Sequence, residues 1–189
     1  MNFSTVFLGQ NDALFVDSRL LVDVANRAYQ GLSLEDSRMG TSRLLMFANP
    51  LALVKKEMSD FARIDTTPFE KIHINMGMES LDPSTLRALG RPFGPVLAWK
   101  TLERVKEIHA NTRKIEISIN FVQGPRLDKH HMDLMVRYLE ECEYSGKGYV
   151  FVSPLLGAYR GPGQVKREVF YLKARSRIPL FLYGLVGLV

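Results

Sequence analysis

The chain is nearly without cysteine: Cys142 is the only one in 189 residues. No disulfide can close within it, and that usage favours a reducing, cytoplasmic setting. Long hydrophobic runs are missing too. The most apolar stretch, residues 178–189, is about a dozen residues long, where a membrane helix needs about 20. It reads as a buried strand with its tail. Residues 1–10 carry neither a basic start nor a long apolar run, so no signal peptide is expected there. Recognisable catalytic and metal motifs are absent as well. There is no P-loop, no GxGxxG, no HExxH, no paired cysteine or His-x-His spacing, and no G-x-S-x-G nucleophile turn.

What is present is ordinary globular material. Hydrophobic residues make up 46% of the chain and charged residues 24%, so disorder is not indicated. The length suits a single domain with a real core. We divide it into a body over residues 1–157 and a C-terminal helix-and-strand extension over 158–189. The net charge is +5 and is concentrated near the end, where Lys166, Arg167, Lys173, Arg175 and Arg177 face only Glu168. Such a cluster is either a solvated helix face or a surface for phosphate or anionic lipid.

Short β-rich runs alternate with longer amphipathic ones, the pattern of βα units on a parallel sheet. Strands are predicted near residues 5–9, 44–48, 72–78, 115–122, 149–152 and 179–185. Helices are predicted over 17–29, with Leu20, Leu21, Val24 and Ala28 on its apolar face, and over 51–61, 83–89, 96–108, 129–142 and 164–173. Gly161-Pro162-Gly163 reads as a loop. Asp82 precedes Pro83 as a helix cap would.

Strand side chains alternate between faces. His73, Asn75, Gly77 and Glu79 therefore share one face, opposite Ile72, Ile74, Met76 and Met78. Glu116, Ser118 and Asn120 likewise oppose Ile115, Ile117, Ile119 and Phe121. A sheet covered by apolar layers on both sides would not show this. One face is expected to pack on helices and the other to line something polar. Polar residues also collect at the C-terminal strand ends, where parallel α/β barrels bind ligands. The fold class expected is α/β, a partial (β/α) barrel of parallel strands with outer helices.

The segment Gly77-Met78-Glu79-Ser80-Leu81-Asp82-Pro83, followed by Leu86-Arg87-Ala88-Leu89-Gly90-Arg91-Pro92, resembles the fourth-strand region of radical S-adenosylmethionine enzymes. There a Glu–Ser or Gln–Ser pair ends the strand and an L-x-x-L-G-R helix follows. Residues 6–14 resemble that family's second strand and loop, with Gly9-Gln10-Asn11 in place of a Gly-Gly-Glu turn. Residues 120–124 resemble the fifth strand and 150–157 the sixth. The resemblance starts at the second strand, so the first βα unit, which carries the C-x3-C-x2-C motif, has no counterpart. It implies S-adenosylmethionine as cofactor, with a [4Fe–4S] cluster only where a separate chain or upstream segment supplies the cysteines. The chain alone is expected to lack radical activity and to be a fragment, a mis-started frame or half of a split protein.

The resemblance implies cofactor binding by Gly9, Gln10, Asn11, Glu79, Ser80, Asn120 and Gln123, and the strand-end position adds Asn49 and Ser153, with no catalytic or metal-binding residue. Each has a plainer reading. Glu79 suits an ion pair with Arg87 or Arg91, and Ser80 a local cap or turn. Gln10 and Asn11 suit a loop with an Asx turn, and Asn49-Pro50 a turn start. His73 reads as a hydrogen-bonded interior residue, His130-His131 as surface, and Cys142 as buried in an amphipathic helix. Two other functions stand beside the resemblance: a cluster-free domain binding a nucleoside or a partner, and an RNA-associated protein using its basic helix on phosphate. A strand left at the sheet edge predicts self-association.

Overall fold

A computed structural model describes residues 4–38, 40–155 and 162–183. The architecture is α/β, with six strands in one all-parallel sheet in the order β1-β2-β3-β4-β5-β6, flanked by helices. The strands are β1 (Thr5–Leu8), β2 (Arg43–Ala48), β3 (Lys71–Glu79), β4 (Ile115–Gln123), β5 (Val150–Pro154) and β6 (Leu180–Leu182). Between them run α1 (Ser18–Gly31), α2 (Pro50–Lys55), α3 (Met58–Asp65), α4 (Pro83–Ala88), α5 (Pro95–Asn111), α6 (Lys129–Glu141) and α7 (Pro162–Arg175). The chain forms two compact units, Met1–Met76 with Lys100–Ile117 and Gly77–Trp99 with Ser118–Val189.

In the first unit, register joins Val6 to Leu44 and Leu44 to Ile72. The side chains Leu44, Met46, Ile72 and Ile74 lie on one sheet face and are fully buried with Phe61 and Ile64 of α3. Each such side chain contributes about 1.5–3 kcal/mol. Asp17 caps α1 by accepting the Arg19 and Leu20 N–H groups. The buried stripe of α1 is Ser18, Leu21 and Ala25, so the expected face is rotated: Leu20 and Val24 are 54% and 41% exposed. The helix expected over 51–61 is two helices broken at Lys56 and Glu57. The break is satisfied locally, because Asp60 accepts the Glu57 N–H and Arg104 donates to the Lys56 carbonyl at 2.5 Å.

In the second unit, Phe121 on β4 is fully buried and meets Tyr138 of α6 edge to face at 5.9 Å. Val150, Val152 and Leu180 continue the apolar face onto Leu172 of α7. Asp82 caps α4 through the Thr85 N–H with Pro83 in the first turn, as the sequence predicts. Pro162 and Gly163 open α7 rather than forming a loop, a position where the missing proline N–H costs nothing. Gly161 and residues 184–185 of the last predicted strand lie outside the described residues.

The sheet's other face is half-covered, but it is not uniformly polar. His73, Asn75 and Asn120 are half-buried there. In the first unit Phe7 and Phe47 meet edge to face at 5.2 Å. In the second, Tyr149, Phe151, Phe181 and Tyr183 form a file of rings with centroids 5.0 to 6.3 Å apart.

Candidate functional site

The second unit holds the densest group of strand-end polar residues. Glu79 ends β3 with φ at 66°, left-handed backbone that an L side chain adopts only under constraint. Its carboxylate is held by Arg91, with Nη2 donating to Oε1 at 2.5 Å. Gly77 makes room for it: a Cβ at that position would lie 3.2 Å from Oε1. Only 8% of Glu79 is exposed, and this burial pushes its carboxyl pKa up while the Arg91 cation opposes the rise. Of the two partners expected from sequence, Arg91 is the one that pairs.

Ser80 does more than turn the chain. Its Oγ accepts the Asp82 N–H at 2.9 Å and meets His131 Nδ1 at 2.7 Å. His131 Nε2 lies 2.9 Å from the Val122 carbonyl, which only accepts. Nε2 therefore carries the proton, and Nδ1 accepts from the Ser80 hydroxyl. This corrects the surface reading of His131, which is 1% exposed, as Ser80 is 0%. The sequence cue was its place on the buried stripe with Met135 and Leu139. Burial pushes the His131 imidazole down, so the ring stays neutral. A serine and histidine closed off this completely position α6 against strand ends rather than attack a substrate.

Asn120 and Ser153 are brought together: the Ser153 hydroxyl donates to Asn120 Oδ1 at 2.7 Å, and both are half-buried. Gln123 is tied to α7, its Nε2 donating to Glu168 at 2.8 Å. Its Oε1 is buried with no protein partner.

In the first unit, the loop after β1 and the start of α2 converge. Gly9 has φ at 75° and lies so close to Ala13 that a Cβ would sit 3.1 Å from the alanine's Cβ, so glycine is required. Gln10 and Asn11 are exposed. Asp12, next to Asn11, is the half-buried acceptor of this loop. Its Oδ2 accepts the Asn49 N–H at 3.2 Å, and its Oδ1 is buried without a partner. Burial raises its pKa, against the hydrogen bond from the Asn49 amide. Asn49 itself caps α2, accepting the Ala52 N–H at 3.0 Å. On β3, Lys71 pairs with Glu116 at 3.1 Å, and burial pushes the His73 imidazole down to about 4.

These groups supply hydrogen-bond acceptors and one buried carboxylate. They do not fit an iron–sulfur cluster. Cys142 is the chain's one cysteine, buried at the C-terminal cap of α6. Among the described residues no group of three or more His, Cys, Asp or Glu side chains converges as a metal site would require. No helix there is long and apolar enough to cross a membrane. Compared with known proteins, the chain matches no protein-family model and no curated sequence.

Proposed function

We propose that the second unit binds an adenine nucleoside at the C-terminal ends of β3, β4 and β5, and that S-adenosylmethionine is the cofactor meant by the chain's resemblance to radical S-adenosylmethionine enzymes. One observation carries the reading. Glu79 is a non-glycine residue kept in left-handed backbone, with its carboxylate buried beside Arg91 at the C-terminal end of a parallel strand. Strain and a buried charge both cost stability, and they persist where a side chain must point one way. The Glu79 carboxylate would accept from ribose hydroxyls, and Gln123 Oε1 from an exocyclic amino group. Asn120 and Ser153 would line the same strand ends. The six-stranded parallel sheet supports a partial barrel. No cluster chemistry is assigned to this chain, whose one cysteine cannot ligate a cluster. By itself this chain binds and orients.

Isothermal titration calorimetry of the full chain with S-adenosylmethionine, adenosine and guanosine tests this. Saturable binding of the two adenine compounds is expected, weakened about tenfold in Glu79→Gln, the loss of one charge-assisted hydrogen bond. Absence of binding, equal binding of guanosine, or full affinity in Glu79→Gln would refute it.

A further inference from the structure

A separate feature of the second unit lies on α7 and β6. A groove of about 460 Å3 is lined by Lys166, Phe170 and Lys173 of α7 and by Leu180, Phe181 and Leu182 of β6. Positions 166, 170 and 173 share one face of a helix, four and three residues apart. Phe170 is 69% exposed beside this groove, while the Phe181 ring belongs to the aromatic file on the sheet's opposite face. An exposed ring flanking an apolar groove is a surface that a partner can cover.

The charge beside the groove says what that is. Lys166, Arg167 and Lys173 are exposed and form no ion pair among the described residues. Arg175, by contrast, is taken up by Glu140 at 2.5 Å and lies over the Tyr171 ring. From residue 164 onward the only acid is Glu168, which bonds Gln123. An apolar strip flanked by unpaired cations complements an anionic surface with hydrocarbon beneath it. The groove's lining offers no side-chain amide, hydroxyl or carboxylate to read a base edge, so RNA is the poorer match.

We infer that α7 and the β6 edge form a peripheral docking surface for an anionic bilayer, with Phe170 entering the acyl region and Lys166, Arg167 and Lys173 at the headgroups. It works by the amphipathic-helix mode, in which apolar insertion and charge attraction add.

Flotation of the full chain with vesicles of phosphatidylcholine alone, or with about 30% phosphatidylserine, tests the inference. Binding to the anionic vesicles only is expected, reversed by high salt. Each lysine neutralised should weaken it about fivefold, so K166Q with K173Q costs about 25-fold. Phe170→Ser should cost about tenfold or more. Val96→Ser, which removes an exposed apolar side chain elsewhere on the same unit, should change nothing. These side chains are exposed, so the variants keep the fold, as circular dichroism would verify. Equal binding to neutral vesicles, or none to anionic ones, overturns the inference. So does tighter capture of single-stranded RNA by the same lysines, or a dimer that Phe170→Ser dissociates. Nucleoside binding at the β3–β5 strand ends is read in a separate assay, so either proposal can fail alone.

Discussion

Acidification should reveal what His73 costs the fold. The ring sits half-buried on β3, and burial pushes its pKa from 6.5 down to about 4. The Glu116 carboxylate resists that shift and the Arg43 cation assists it. Below pH 6.5 the unfolded chain takes up a proton that the folded chain refuses. Stability therefore falls as pH drops from about 6.5, and the loss levels off below about 4. The full gap corresponds to a ceiling of about 3.4 kcal/mol, at about 1.36 kcal/mol per pKa unit. By pH 4.5 about 2.5 kcal/mol of it would be lost. Partial solvent screening of a half-buried ring lowers that to about 2 kcal/mol. Carboxylates and His131 titrate as well, so the informative quantity is a difference. Urea unfolding of the wild-type chain and His73→Gln at pH 7 and pH 4.5 should show the variant losing about 2 kcal/mol less. Proton NMR of the His73 ring should place its midpoint near 4. Parallel stability losses in the two proteins, or a midpoint near 6.5, would refute the reasoning.

Arg91→Leu should raise the Glu79 pKa further, because the opposing cation is gone. The variant's deficit should shrink as falling pH protonates the carboxyl, and grow to about 2 kcal/mol by pH 8 in thermal or urea melts. Ser80→Ala should cost about 1 kcal/mol and His131→Leu about 2–3 kcal/mol, since the larger change orphans both the Val122 carbonyl and the Ser80 hydroxyl. A double-mutant cycle should show the two effects to be non-additive. Phe121→Ala should lower stability by about 3–5 kcal/mol with an unchanged denaturant slope, the signature of a cavity in a fold that otherwise persists.

The parallel α/β pattern was legible because strand alternation is strong where one face is apolar without interruption, as in Ile72, Ile74, Met76 and Met78. The cap at Asp82 was legible because an acid precedes proline there, whereas Asn49, read as a turn start, caps α2 in the same way. Other features were set by tertiary contacts. Leu20 and Val24 fit the helical period, but Ser18 is buried in their place because it donates to Asp60 at 2.5 Å and accepts from Arg63. The break at Lys56 depends on Arg104, 48 residues away, which no local pattern encodes. His131 looked like surface beside His130, because a histidine's burial depends on partners at Ser80 and Val122 that only folding supplies. Asp12 lost its place to Gln10 and Asn11 for the same reason: its bond to Asn49 spans two loops.

Cys142 adds a different kind of consequence. Its thiol is 8% exposed at the end of α6, beside the Tyr138 hydroxyl at 3.8 Å, and no second thiol competes with it. A thiol-reactive dye can therefore label this protein at one thiol only, and fastest when the end of α6 opens. The rate of labelling is then a clock for that opening. A bound nucleoside that tightens the Ser80–His131 link to α6 would slow the clock with no dye or tag engineered in.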